Sequence, residues 1–318
     1  MNCRHIFRLI DRAGIFLALF GLVLVLGLAN PSFRSPGNLL NILQQSTPIG
    51  IAAIGMTFAI ISGAFDLSVG SLMALIACVL VSLIDGIGFY PALLVALALG
   101  MACGLANGLI ITRAGITPFI ATLGTLWVFR ALAYIYTENR PVQSANEAFI
   151  SWDERFLGLP KLFMVMIAFY LLGYVILYHT PFGRKLFAVG SNPRAAILSG
   201  INVLRVRMLV FGLVGFFAAL GGAMLSVRLW SAKASMAMGY ELMIISSVVL
   251  GGTSLKGGSG TLIGTLGAAL LFAVINNAMD MFQVQSYWQK IATGGILLLA
   301  LSVDGLRQRF DKSRHDVI

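Results

Sequence analysis

Side chains able to do chemistry are few in this chain, and the most conspicuous is a carboxylate. Asp66, in GAFDLSVGS, has membrane-length apolar sequence on both sides. An ionised group in such surroundings is costly and marks function by default. Two roles fit it. With Ser68 it has the form of an N-cap for a span beginning at Leu67, its oxygen taking orphan N–H groups; equally it can stand on a solute path or at a gate. Asn107, Thr122, Thr125, Asn276 and Asn277 are uncharged polar groups inside apolar runs. Each can hydrogen-bond a polyhydroxylated solute or brace a neighbouring helix, for about 1 kcal/mol or less. As a set they favour a polar, uncharged path over an ion conduit, which would use rings of charge. Arg130, followed by Tyr134 and Tyr136, is expected to snorkel toward the outer membrane surface.

Catalysis finds no constellation. His5, His179 and His315 lie in or beside tails and loops, and there is no G-x-S-x-G elbow, H-E-x-x-H helix or metal-ligand spacing. GGTSLKGGSGTLIG resembles a phosphate loop only superficially, because Lys256 precedes Gly257 where a P-loop needs Gly-Lys-Ser/Thr after four intervening residues. No catalytic and no metal site is therefore expected, and a membrane enzyme ranks last among the readings.

The elements that must position these groups are membrane spans. Of 318 residues 58% are hydrophobic and 11% charged, with a mean hydropathy of +0.92, whereas soluble domains carry about 25% charge. The net charge of +10 is no nucleic-acid footprint, since the basic residues cluster in short loops beside apolar runs. Cys3, Cys78 and Cys103 have no disulfide or metal spacing, and the last two lie in apolar runs as small core residues. The chain reads as all-α and polytopic, with about ten spans near 14–30, 49–62, 67–85, 90–112, 117–136, 161–178, 208–228, 240–252, 260–280 and 287–303. Gly14 to Leu28 reads as a retained first span rather than a signal peptide, because no small-residue cleavage site followed by a soluble domain appears. The segments at 49–66 and 240–258 are short and Gly-interrupted, the mark of broken helices. They also echo each other, each a short apolar run, a Gly/Ser-rich break and a longer span.

With ten crossings and the N-terminus inside, 14 Lys and Arg fall inside and 7 outside, which places both termini in the cytosol. The organisation is a tail at 1–13, a membrane domain at 14–304 and a tail at 305–318. The loop at 137–160, with mixed charge and Trp152, is then external, a docking surface or a plain solvated loop. The loop at 179–207 is cytosolic and is the longest basic interruption in the chain. In it Asn192-Pro193 signals a helix start and Gly200 a stop, enclosing about two turns, Pro193 to Ser199. So short a helix is marginal alone; it is either a docking element or an ordinary capped loop.

Five stretches, GMTFAIISGAFDLSVGSLMAL, TPFIATLGTLWVFRALA, TPFGRKLFAVGSNPRAAILSGINV, GYELMIISSVVLGGTSLKGGSGTLIGTLGAALL and INNAMDMFQVQSYWQKI, together resemble the ribose-type sugar ABC permeases of bacteria, within the branched-chain amino acid and sugar permease superfamily. The similarity runs in order from about 37 to 305. It implies the membrane subunit of an inner-membrane importer of a monosaccharide, with a second permease copy (identical or related), a cytosolic ATPase that holds ATP and Mg, and a periplasmic sugar-binding protein. No cofactor is implied for this chain. The resemblance further implies that Ser191, Asn192, Pro193, Arg194, Ala195, Ala196, Ile197, Leu198, Ser199 and Gly200 form the coupling helix that fits the ATPase, and that Asp66 to Gly70 form a break near the translocation path. Ala64 and Phe65 make that neighbourhood bulkier than the family pattern, and Met243 stands where an acidic residue is common, leaving Glu241 the lone carboxylate of its segment. An ion-gradient-driven secondary transporter is the alternative; it would need intramembrane carboxylates, for which Asp66 and Asp280 are the candidates.

Overall fold

The computed structural model describes residues 3–285 with 287–289, 291–296 and 298, and side chains from Gly14 onward. The helices are α1 (Cys3–Ala29), α2 (Pro36–Ile61), α3 (Val69–Ile87), α4 (Phe89–Arg113), α5 (Pro118–Thr137), α6 (Glu147–Ile150), α7 (Lys161–His179), α8 (Pro181–Ser191), α9 (Pro193–Leu198), α10 (Val203–Leu229), α11 (Tyr240–Leu250) and α12 (Leu262–Met281). Six of them, α3, α4, α5, α7, α10 and α12, are long and apolar enough to cross a membrane. The chain is an all-α, multi-pass membrane protein. The expected span at 287–303 is helical where it is described, and the tail at 305–318 lies outside the described residues. Helix α1 begins at Cys3, so it runs through most of the segment expected to be a tail.

Helix starts follow one local rule. Ser35 accepts from Asn38 N at 3.3 Å, Asn192 from Ala195 N at 3.1 Å and Asn202 from Arg205 N at 2.9 Å. Proline at the first helical position follows Ser35, Thr117, Thr180 and Asn192, where its missing N–H costs nothing.

One expected span changes character. The short segment at 49–62 is the C-terminal half of the 26-residue α2, which begins at Pro36. Gln44, Gln45, Ser46 and Thr47 interrupt its apolarity, and Pro48 removes the N–H that would bond the Gln44 carbonyl. The Thr47 hydroxyl donates to that carbonyl at 2.8 Å and repairs the ladder. By contrast α11 is short, as expected, at 11 residues.

The core sits on α2, α3 and α10. Helices α10 and α3 are mostly buried within the chain, whereas α5 and α7 leave most of their surface outside it. Helix α10 meets α4 through glycine. Gly100 and Gly104 on α4 lie against Gly215 and Ala219 on α10, and Gly108 against Met208 and Phe211; a Cβ on Gly104 would lie 2.9 Å from Gly215 Cα. Lipid gives helices no hydrophobic reason to associate, so such close backbone approach and its dispersion energy replace it.

The segment at 138–160, here the lid, has a folded first part and an exposed turn at 154–159. Strand β1 (Val142–Gln143) pairs antiparallel with β4 (Ser231–Ala232), and β2 (Arg155–Phe156) with β3 (Leu159–Pro160). Phe149 is fully buried, its ring 5.8 Å from Phe89, and Trp152 stacks beside the same ring at 6.5 Å. Ser144 donates to Asp85 at 2.6 Å, which ties the lid to the end of α3.

Gly104→Leu is expected to force α4 off α10 and lower the thermal midpoint of the detergent-solubilised protein by several degrees, as overpacking in a close helix contact does. Gly124, which has nothing within 4 Å of an added Cβ, is the control, and Gly124→Leu should leave the midpoint unchanged. Equal midpoints for the two variants would contradict the close packing.

Candidate functional site

Helix α2 stops at Ile61, and the chain passes through 64–66 without regular structure before α3 starts at Val69. Irregular backbone between spans needs its own hydrogen-bond partners. Asp66 supplies them while fully buried. Its Oδ1 accepts from Ser68 N at 2.7 Å and Ser68 Oγ at 2.6 Å, and its Oδ2 accepts from Asn107 Nδ2 at 3.2 Å. Asn107 Nδ2 also reaches Ser68 Oγ at 2.9 Å, and Thr122 Oγ1 accepts from Leu67 N at 3.1 Å. Asp66, Ser68, Asn107 and Thr122 therefore meet in one knot that joins the break to α4 and α5. The carboxylate closes the turn before α3 instead of capping a span that starts at Leu67: the N-cap is Ser68, and it makes no side-chain cap bond.

The other expected path residues lie elsewhere. Thr125 Oγ1 donates to Thr122 O at 3.3 Å, within α5. Asn277 is braced: its amide and that of Asn38 exchange hydrogen bonds of 2.9 and 3.0 Å, a reciprocal pair between α12 and α2. Asn276, its neighbour, lines a separate cavity walled by α2, α10, α11 and α12.

A second irregular stretch leads from β4 to Gly239, whose φ of +86° sets the start of α11. Arg130 holds it, and the expectation of snorkelling is overturned. The side chain is 7% exposed, and Nη1 donates to Ala234 O at 2.5 Å and Met236 O at 2.8 Å. Sequence alone could not show that bare carbonyls would be waiting for it. A Cβ on Gly70 would collide with the Glu241 carboxylate and the Ala237 carbonyl, so α11 begins against the first turn of α3. It then runs beside α2 to Gly251, which packs on Gly264 and Thr265 near the start of α12. Helix α11 starts half-buried at Tyr240 and Glu241 and is buried from Ile244 to Val249.

The loop at 179–207 is two helices. Thr180 caps α8, accepting from Gly183 N at 3.3 Å. Helix α9 is then held at both ends. Asn192 caps its start, and at its finish Gly200 takes φ +77° while Ile201 N donates to Ala196 O at 2.9 Å and Gly200 N to Ile197 O at 2.9 Å, the Schellman arrangement. Ala196 points inward, while Ile197 and Leu198 are 60% and 89% exposed. Ser191, Arg194, Ala195 and Ser199 complete an exposed rim around them.

The end of α8 is locked to the spans through glycines. Gly258 N donates to Ile61 O at 2.8 Å, a Cβ on Gly190 would strike that same carbonyl, and one on Gly257 would lie 2.9 Å from Gly63 Cα. The glycine-rich stretch that imitates a phosphate loop is thus a packing surface joining α8, the end of α2 and the loop before α12. Paired glycines at 257–258, with Gly63 and Gly190, were the available signal.

At the other end of α2, Gln44 donates to the Asp153 carboxylate of the lid. Partial burial lifts the Asp153 carboxyl above the ordinary range, and hydrogen bonds from the Trp230 indole and Gln44, with the positive charge of Arg228, pull it back.

The pattern of the family described as branched-chain amino acid transport system / permease component matches residues 38–301. The chain belongs to this family. It is 40% identical over 304 residues to the ribose import permease protein RbsC of Bacillus subtilis (strain 168), covering 94% of each chain. It is 39% identical over 298 residues to RbsC of Escherichia coli (strain K12), covering 92% of this chain and 93% of the relative. It is also 33% identical over 328 residues to the galactose/methyl galactoside import permease protein MglC of Escherichia coli (strain K12), covering 96% and 98%. No solved structure matches the chain. As a permease-family member it is a transport subunit.

Arg130→Met should strand the carbonyls of Ala234 and Met236, at about 1–3 kcal/mol for each buried group left unpaired. The expected result is a lower thermal midpoint and faster tryptic cleavage at Lys233 in detergent. Unchanged cleavage and midpoint would show that the stretch is held by other contacts.

Proposed function

We propose that the chain is the membrane subunit of an ATP-driven importer for a monosaccharide, a ribose-like pentose, a hexose or a related sugar, in the bacterial inner membrane. The names of its relatives, ribose and galactose import permeases, support the substrate class. In this reading ten crossings place both termini, α8 and α9 in the cytosol and the lid outside. Two permease copies share two ATPases, which bind ATP and Mg, and a periplasmic sugar-binding protein docks on the lid side.

The observation that carries the reading is α9. A helix of 6 residues cannot repay its own nucleation, yet here it is fixed at both ends and presents Leu198 almost wholly exposed. An apolar knob so presented suits a groove in a partner. Closure of the ATPases on ATP would press on α9, and α8 would pass the displacement through Gly190 to Ile61 and Gly258, at the ends of α2 and of the loop before α12. An ion-gradient mechanism would use Asp66 as its coupling carboxylate. Both oxygens of Asp66 already accept hydrogen bonds within the chain, which disfavours it.

Leu198→Asp should leave membrane insertion intact and reduce co-purification of the cognate ATPase by about tenfold or more, as removal of a central apolar anchor does. Ala196→Glu, at the buried face of α9, should do the same by unseating the helix. Full ATP-driven uptake with both variants would refute the docking role.

A further inference from the structure

At the break the Asp66 oxygens are bonded within the chain and Asn107 Oδ1 is buried without a partner, while a cavity elsewhere in the molecule gathers several hydrogen-bonding groups. Between α2, α10, α11 and α12 lies a cavity of about 180 Å³. Its polar wall is made by Gln45, Arg228, Tyr240, Asn276, Asp280 and Gln289. Ala269, Ala273, Asn276 and Asp280 recur at helical spacing, so one stripe of α12 forms a whole side, apolar at one end and polar at the other. Gln45 Oε1 is buried and meets no partner in the chain, while Asp280 Oδ1 accepts from Gln289 Nε2 at 2.8 Å. Helix α11 begins here, and Tyr240 and Met243 of its first turn lie on the cavity wall.

We propose that this cavity is a binding station for one monosaccharide, an inference that rests on the sugar-permease reading above. The wall offers what a sugar ring needs. Amides both donate and accept, a guanidinium donates, a carboxylate accepts, and Ile49, Met243 and Ala273 give an apolar surface for C–H faces. Its one cation and one anion oppose each other, which suits a neutral solute and not the single-sign ring that an ion requires. The volume equals about six waters at ~30 Å³ each, room for one ring and not for a disaccharide. The station joins both ends of the machine. Gln44, the neighbour of Gln45, bonds the lid through Asp153, and α2 continues to Ile61 at the α8 contact.

The test uses the full chain in nanodiscs with [14C]D-ribose and [14C]D-galactose, read by scintillation proximity, and the same variants in cells carrying the cognate ATPase and binding protein. Saturable binding of at least one sugar is expected. Gln45→Leu and Asn276→Leu should weaken it about tenfold each, the loss of one hydrogen bond and its desolvated partner. Ala273→Trp should fill the space and abolish both binding and uptake. All three should still co-purify with the ATPase, which excludes misfolding as the cause. Absence of saturable binding by the unaltered chain, or undiminished binding and uptake with all three substitutions, would overturn the station and leave the permease reading intact. Sugar binding by a chain that recruits no ATPase would overturn the permease reading and keep the station.

Discussion

Hydrocarbon offers no hydrogen bonds, so every stretch of backbone that leaves the helix inside a membrane protein must be partnered by the protein itself. Two stretches do so here, and the arrangement of the molecule follows from how each is satisfied. At 64–68 the partners are side chains of the break and of the two helices beside it, gathered round the Asp66 carboxylate. At 233–239 the partner is one guanidinium delivered from α5 by Arg130. Both solutions use a titratable side chain to partner irregular main chain, Asp66 from within the break and Arg130 from a neighbouring helix.

The apolar spans were legible because length and composition alone define them, and so were the caps, since Asn192-Pro193 and Gly200 each act within one turn of chain. What was not legible needed a partner distant in sequence. Helix α2 was read as short because its N-terminal half is polar; the Thr47 hydroxyl on the Gln44 carbonyl explains how a proline inside it is tolerated. Arg130 was read by its aromatic neighbours in sequence, while its real neighbours are carbonyls about a hundred residues later. The segment at 138–160 was read by its charge, yet its place is fixed by a strand pairing with residues 231–232 and by Phe149 buried against Phe89. Of the expected path residues, Asn277 and Asn38 illustrate the general difficulty: a buried amide that serves a solute and one that serves another amide are identical in sequence.

Glycine divides the labour between two kinds of contact. On α4 and α10 it lets long helices touch along their backbones, fixing a static pair. At Gly63, Gly190, Gly257 and Gly258 it lets three chain segments meet where helices end, and a hydrogen bond from Gly258 N to Ile61 O crosses the junction. Side chains of ordinary size would hold these segments apart. A displacement of α8 is therefore felt by main chain directly, with no flexible side chain to absorb it.

Helix α2 deserves to be seen as a shaft with a joint. Its N-terminal part is tethered to the lid through Gln44 and its C-terminal end is gripped at Ile61, while between them the Thr47 hydroxyl stands in for the N–H that Pro48 lacks. Bends in helices form where a rung of the ladder is replaced in this way, and Pro48 puts that place one turn from Gln45.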